Sequence, residues 1–129
     1  MNEFIESEFI ENEVKKNIDK YGDVPPPWSF RPQSHPYSFQ WRMGAGETYI
    51  MVYSAWLNKY CTSRDELIKF FNKYPPPPRW LGNVACTIWN LEPMEESFDY
   101  SEYFIQLKKF GIEGTENYIE DLSNEKWLD

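Results

Sequence analysis

The stretch Gly46-Glu47-Thr48-Tyr49-Ile50-Met51-Val52-Tyr53-Ser54-Ala55-Trp56-Leu57-Asn58-Lys59-Tyr60 decides the fold class. Tyr49, Val52, Tyr53, Trp56, Leu57 and Tyr60 recur at i, i+3, i+4, i+7, i+8 and i+11, which puts them on one face of an α-helix. Downstream, Ser63-Arg64-Asp65-Glu66 reads as a capping box. The Ser63 hydroxyl can accept from the Glu66 N–H while the Glu66 carboxylate reaches back. Leu67, Ile68, Phe71 and Tyr74 then form the apolar face of the next helix.

Four prolines, Pro75 to Pro78, force a stop before Arg79 and Trp80, because proline fixes φ and lacks the N–H that a helix needs. Leu81, Val84, Ala85, Ile88 and Trp89 resume helical spacing in the most apolar part of the chain, with Pro93 expected to close that helix. Residues 97–110 read as a further helix, with Tyr100, Phe104, Leu107 and Phe110 in register ahead of Gly111. Thr115 is placed to cap a last short one through Tyr118, Ile119 and Leu122.

Upstream, Ile10, Val14, Ile18 and Tyr21 share a helical face across residues 2–21, and Gly22 stands where a helix ends. Between them, residues 23–41 hold five prolines and five large rings (Trp28, Phe30, Tyr37, Phe39 and Trp41). Phe30 and Phe39 bracket a Pro-rich turn, leaving a short hairpin open there. The expectation is an all-α chain, one domain over 1–129, of five to six short helices. An N-terminal helix at 1–22 precedes an ordered Pro/aromatic loop at 23–41 and a helical core at 42–129.

Two segments, Lys20-Tyr21 to Trp28 and Lys73-Tyr74 to Trp80, share the order Lys-Tyr, proline block, Trp. Nothing else aligns between them, so the shared order reads as a reused helix stop. Pro75-Pro76-Pro77-Pro78-Arg79 resembles a ligand for aromatic grooves. Its flanking Tyr74 and Trp80 belong to helix faces, so it is expected to dock internally as a stiff elbow. The first strut, Pro25 to Trp28, is the better candidate for a partner contact.

Aromatic residues make up 19% of the 129, so the core must be built largely from rings. The net charge of −8 is uneven: −4 over 1–23, +4 over 24–91 and −8 over 92–129. Such a protein is ill suited to general nucleic-acid binding, which displaces counterions with clustered Lys and Arg, whereas a basic protein partner is attracted. The N-terminal sequence has no basic n-region and long apolar h-region, and no apolar run approaches the ~20 residues of a membrane span. A cytoplasmic protein is expected, with Cys61 and Cys86 as buried free thiols.

No signature names a reaction, and no catalytic residue, cofactor or metal site is expected. Gly44-Ala45-Gly46 beside Arg42 has the makings of an anion nest, but Glu47 in the first helical turn would repel an anion. A tight turn that packs Trp41 against the helix fits better. His35, the lone histidine, has no cysteine or second histidine near it in sequence to make a metal site. The function expected is that of a small acidic protein-binding domain that neutralises a partner, in the manner of an immunity or inhibitor protein. Glu92, Glu95, Glu96, Asp99 and Glu102 would form its acidic face and Trp28 an aromatic anchor. The alternative is a ligand-binding domain or enzyme. Its pocket would be the Trp28–Glu47 loop, with rings stacking a planar ligand near His35, Trp41, Arg42 and Glu47.

Overall fold

The computed structural model describes residues 3–92 and 98–127, with side chains from residue 7 onward. It is all-α: the described residues form seven α-helices joined by turns and short 3-10 segments, with no strand. They are α1 (Glu3–Tyr21), α2 (Pro27–Phe30), α3 (Gly44–Tyr60), α4 (Arg64–Lys73), α5 (Leu81–Trp89), α6 (Ser101–Lys109) and α7 (Tyr118–Leu122). Two of them, α2 and α7, are little more than single turns. The chain divides into two compact units, one of Met1–Gln33 with Tyr37–Thr62 and the other of Ser34–Pro36 with Ser63–Asp129.

In the first unit, α1 and α2 pack against α3. Helix α1 ends as its sequence predicts: Gly22 takes a φ of +84° and its N–H bonds the Ile18 carbonyl. Of the four residues foreseen on its buried face, Val14 is fully buried, while Tyr21 is 47% exposed. On α3, Val52, Tyr53 and Trp56 are buried as the stripe requires, and Tyr60 at its end is exposed. The hairpin left open between Phe30 and Phe39 does not form. Phe30 closes α2, and Phe39–Arg42 forms a 3-10 turn whose start is fixed by the Ser38 hydroxyl accepting from the Gln40 N–H.

That turn packs tightly along the first turn of α3. The contact requires Gly46, because a Cβ there would fall on the Gln40 carbonyl. Gly44, at φ +59°, makes the bend into the helix. The Gly-Ala-Gly sequence is thus a turn that permits close packing, as expected of it.

The second unit centres on α5, which packs on α4, on α6 and on the 3-10 turn Pro78–Trp80. Leu81, Val84 and Ala85 have no exposed surface, and small Gly82 is buried with them. Phe70 joins Leu67 and Phe71 in the buried face of α4, although it lay outside the apolar stripe drawn from the sequence. Helix α5 stops earlier than Pro93 would stop it. Asn90 takes the left-handed conformation, φ 53° and ψ 52°, and the Leu91 N–H bonds the Cys86 carbonyl. Thr115 does not cap α7; its hydroxyl bonds Glu116, and a 3-10 turn intervenes.

The Ser63 cap forms as predicted, with its hydroxyl accepting from the Glu66 N–H at 3.2 Å and donating to the Glu66 carboxylate at 3.1 Å. Ser63→Ala is therefore expected to cost about 1 kcal/mol. Chemical denaturation of the two proteins measures it, and a change under 0.3 kcal/mol would show the cap to be idle.

Candidate functional site

The segment from Val24 to Met43 combines a buried base with an exposed outer layer. Its base is internal. Pro26, Pro27 and Val24 are buried, and Trp28 and Trp41 are only 6% and 7% exposed. The Tyr49 hydroxyl donates to the Pro25 carbonyl at 2.6 Å, tying the strut to α3. The outer layer is apolar and open, with Phe30 at 40%, Phe39 at 56%, Met43 at 61% and Tyr37 at 63% exposure.

These outer side chains are organised by packing. The Phe30 ring stacks on Tyr49 at 4.0 Å and lies 6.4 Å from Trp41. The Arg31 guanidinium sits 5.2 Å from the Phe30 ring and donates to the Gln40 side chain at 2.8 Å. Arg42 sits 5.2 Å from Phe39 in the same way. The result is two ring–guanidinium pairs, Phe30 with Arg31 and Phe39 with Arg42, joined through the bond from Arg31 to Gln40 on the same turn as Phe39.

Trp28 requires a correction. Its ring is inside the protein and cannot be a surface anchor, because the proline strut docks inward and carries the Trp with it. The alternative reading, a ligand pocket over Trp28–Glu47, loses its two tryptophan walls. The rings of Trp28 and Trp41 are buried, so their faces are closed to a planar ligand. His35 belongs to the second unit, where its Nε2–H donates to the Leu122 carbonyl at 2.8 Å. Arg42 and Glu47 are exposed, with Glu47 in the first turn of α3.

Among the acids expected to form one face, Glu92, Asp99 and Glu102 are exposed, while Glu95 and Glu96 lie outside the described residues. Asp99 starts α6 by accepting from the Ser101 hydroxyl and from its N–H, and these bonds hold its carboxyl below the usual carboxylate range. Glu102 follows in the first turn, where a carboxylate complements the helix dipole. Exposed Ile105 and Ile119, at 58% and 69%, stand one helical turn from Glu102 and Glu116.

A second polar cluster lies inside the second unit, and no local sequence pattern signals it. Arg79 is 6% exposed. Its Nε donates to the Ser34 carbonyl, its main-chain N–H to Asp121 Oδ2 at 2.9 Å, and Nη1 to the same oxygen at 3.3 Å. Trp127 covers the guanidinium at 3.8 Å, and its indole N–H donates to Asp121 Oδ1 at 3.2 Å. Burial pulls the Asp121 carboxyl upward, but the bonds from Arg79 and Trp127 outweigh it and hold the group below the ordinary range. These bonds fasten Ser34, the proline elbow and α7 together.

Cys61 is buried and Cys86 half-buried, both as free thiols. The Tyr53 phenol is pushed far up, first by burial and then by Cys61 and Tyr49, so it stays neutral. Among the described residues, no group of three or more His, Cys, Asp or Glu side chains is placed to hold a metal ion, and no helix is long and apolar enough to cross a membrane. No protein-family model matches the chain, and comparison with curated proteins and with solved structures finds no significant similarity.

Proposed function

We propose that this protein acts by binding another protein, and that its contact surface is the ring and guanidinium layer of Phe30, Arg31, Tyr37, Phe39, Arg42 and Met43. The observation that carries this is the exposure of four large apolar side chains within fourteen positions, on a backbone whose neighbouring tryptophans are buried. Isolated exposed apolar residues are ordinary, but a cluster rimmed by polar groups marks an interaction site. Aromatic and arginine side chains dominate the energetics of such sites, and a rigid base spares the entropy of ordering them on binding.

The test is the double variant Tyr37→Ala, Phe39→Ala. Both side chains are mostly exposed, so stability is expected to change by no more than about 1 kcal/mol. Affinity for a protein captured by the wild type from its native cell is expected to fall by at least about thirtyfold, as for loss of a hot spot. An unchanged dissociation constant by calorimetry would rule out this surface.

A second reading keeps the acidic side of the molecule. Ile105 and Ile119 are exposed beside Glu102 and Glu116, a pattern that suits an inhibitor-like domain neutralising a basic partner. A basic protein retained at low salt, and lost with Ile119→Ser, would favour it.

A further inference from the structure

We infer that the ring and guanidinium layer of the first unit receives an acidic, extended segment of a partner protein. This inference rests on the protein-contact reading above and adds the chemistry of the occupant. Residues 24–46 contain no Asp or Glu, in a chain whose net charge is −8, and they include Arg31 and Arg42. The acids that bracket them are Asp23, which is buried, and Glu47, which is exposed at the start of α3. The apolar rings and the positive charge therefore coincide, while the carboxylates gather elsewhere in the sequence.

The two arginines are held beside the rings that a partner would cover. Arg31 is fixed by Phe30 and Gln40, and Arg42 lies against Phe39. A guanidinium so placed is partly ordered before binding, and the planar fork of the exposed Arg42 matches a carboxylate with two parallel hydrogen bonds, while Arg31, half-buried and bonded to Gln40, adds positive charge. An extended segment alternating carboxylate and apolar side chains would meet both features at once. Lysine or arginine on the partner would instead face like charge across a partly dry surface.

Two other anionic occupants fit less well. An anionic membrane is an extended plane and would meet the field of the whole molecule, including the exposed carboxylates Glu8, Glu11 and Asp19 on α1. A nucleic acid brings many phosphates and the same repulsion. A short peptide segment feels mainly the charges within a Debye length of about 8–10 Å, and at this layer the two guanidinium groups of Arg31 and Arg42 outnumber the one exposed carboxylate, Glu47 at the start of α3. A second copy of this chain would bring its own −8 charge.

The experiment is an amide chemical-shift titration of the full-length protein with two synthetic twelve-residue peptides. They share the same Leu, Trp and Gly content, one carrying Glu and the other Lys at the remaining positions. The Glu peptide is expected to move the amides of Phe30, Arg31, Phe39, Arg42 and Met43, weakening with added salt, while the Lys peptide leaves them in place. Arg42→Glu is expected to weaken the Glu peptide about tenfold, and Arg42→Gln by less. Equal or stronger shifts from the Lys peptide would overturn the inference and leave the contact reading standing. The inference also fails if those amides respond to oligo-dT or phosphatidylserine vesicles but not to the Glu peptide. It fails again if they shift with protein concentration alone, since the occupant is then a second copy. Silence at these amides with every probe would overturn the contact reading itself.

Discussion

Asp121→Ala is expected to destabilise the protein by about 3 kcal/mol, the low end of the range for removing one partner of a buried ion pair, because the carboxylate keeps 19% of its surface open to water. The carboxylate accepts from three groups of the second unit: the Arg79 N–H, the Arg79 guanidinium and the Trp127 indole. Its loss takes one carboxylate away from a guanidinium that is only 6% exposed. Arg79→Met is expected to cost less, about 2 kcal/mol, because the remaining carboxylate keeps 19% of its surface open to water and the methionine still packs against Trp127. Urea unfolding of the three proteins measures both values. A cost for Asp121→Ala no larger than that for Arg79→Met would show that burial of the guanidinium is not the controlling cost.

The same pair gives a pH dependence with a definite sign. The Asp121 carboxyl is held below its ordinary value in the folded protein, so its contribution is complete above the unfolded value of about 3.9. As pH falls below that value, and through the lower folded one, the contribution disappears. The difference in stability between wild type and Asp121→Ala is therefore expected to be constant from pH 7 to about pH 5 and to shrink in more acidic solution. A difference that held steady down to pH 2 would mean that the carboxylate charge plays no part.

Periodicity and caps made most of the fold legible. The stripe from Tyr49 to Tyr60, the Ser63 cap and the glycine after Tyr21 are local signals, each requiring only residues within a few turns of one another. What the sequence hid is long-range. Arg79 is separated from Ser34 by 45 positions and from Asp121 by 42, and no local pattern distinguishes a buried arginine after a proline block from an exposed one. The end of α5 was misjudged for a different reason. Proline announces a stop from sequence alone, while Asn90 does so only by adopting a left-handed conformation that asparagine tolerates.

The candidate surface was half legible. Trp28 and Phe30 sit two positions apart in one strut, and composition alone gives both as large rings wanting burial. The single turn at Pro27–Phe30 separates them, turning Trp28 in and leaving Phe30 stacked on Tyr49 with 40% of its surface open. The absence of a helical stripe after this strut points to Trp28 as the anchor, and that ring is the buried one. What did survive was the +4 charge of residues 24–91, whose acid-free portion coincides with the exposed rings.

Gly46→Ala is expected to destabilise the protein by about 2–3 kcal/mol, near the upper end for overpacking at a close contact. Alanine ordinarily favours a helix interior over glycine by about 1 kcal/mol, so propensity alone predicts the opposite sign. The packing decides. The added Cβ would fall on the Gln40 carbonyl, which is backbone and has no rotamer through which to yield. Relief requires moving the Phe39–Arg42 turn off α3, and with it the 3-10 start that the Ser38 hydroxyl fixes. The substitution therefore also reaches the proposed contact surface, because Phe39 and Arg42 belong to the displaced turn. Gly44→Ala offers a control: a Cβ there meets nothing within 4 Å, and its cost arises only from the φ of +59°. Gly44→Ala is expected to lower stability by about 1 kcal/mol with little change in the Phe39 and Arg42 amide shifts. Gly46→Ala is expected to move both. If Gly46→Ala raised the melting temperature, helix propensity would outweigh the clash, and the turn would have to be loosely held instead of rigidly seated.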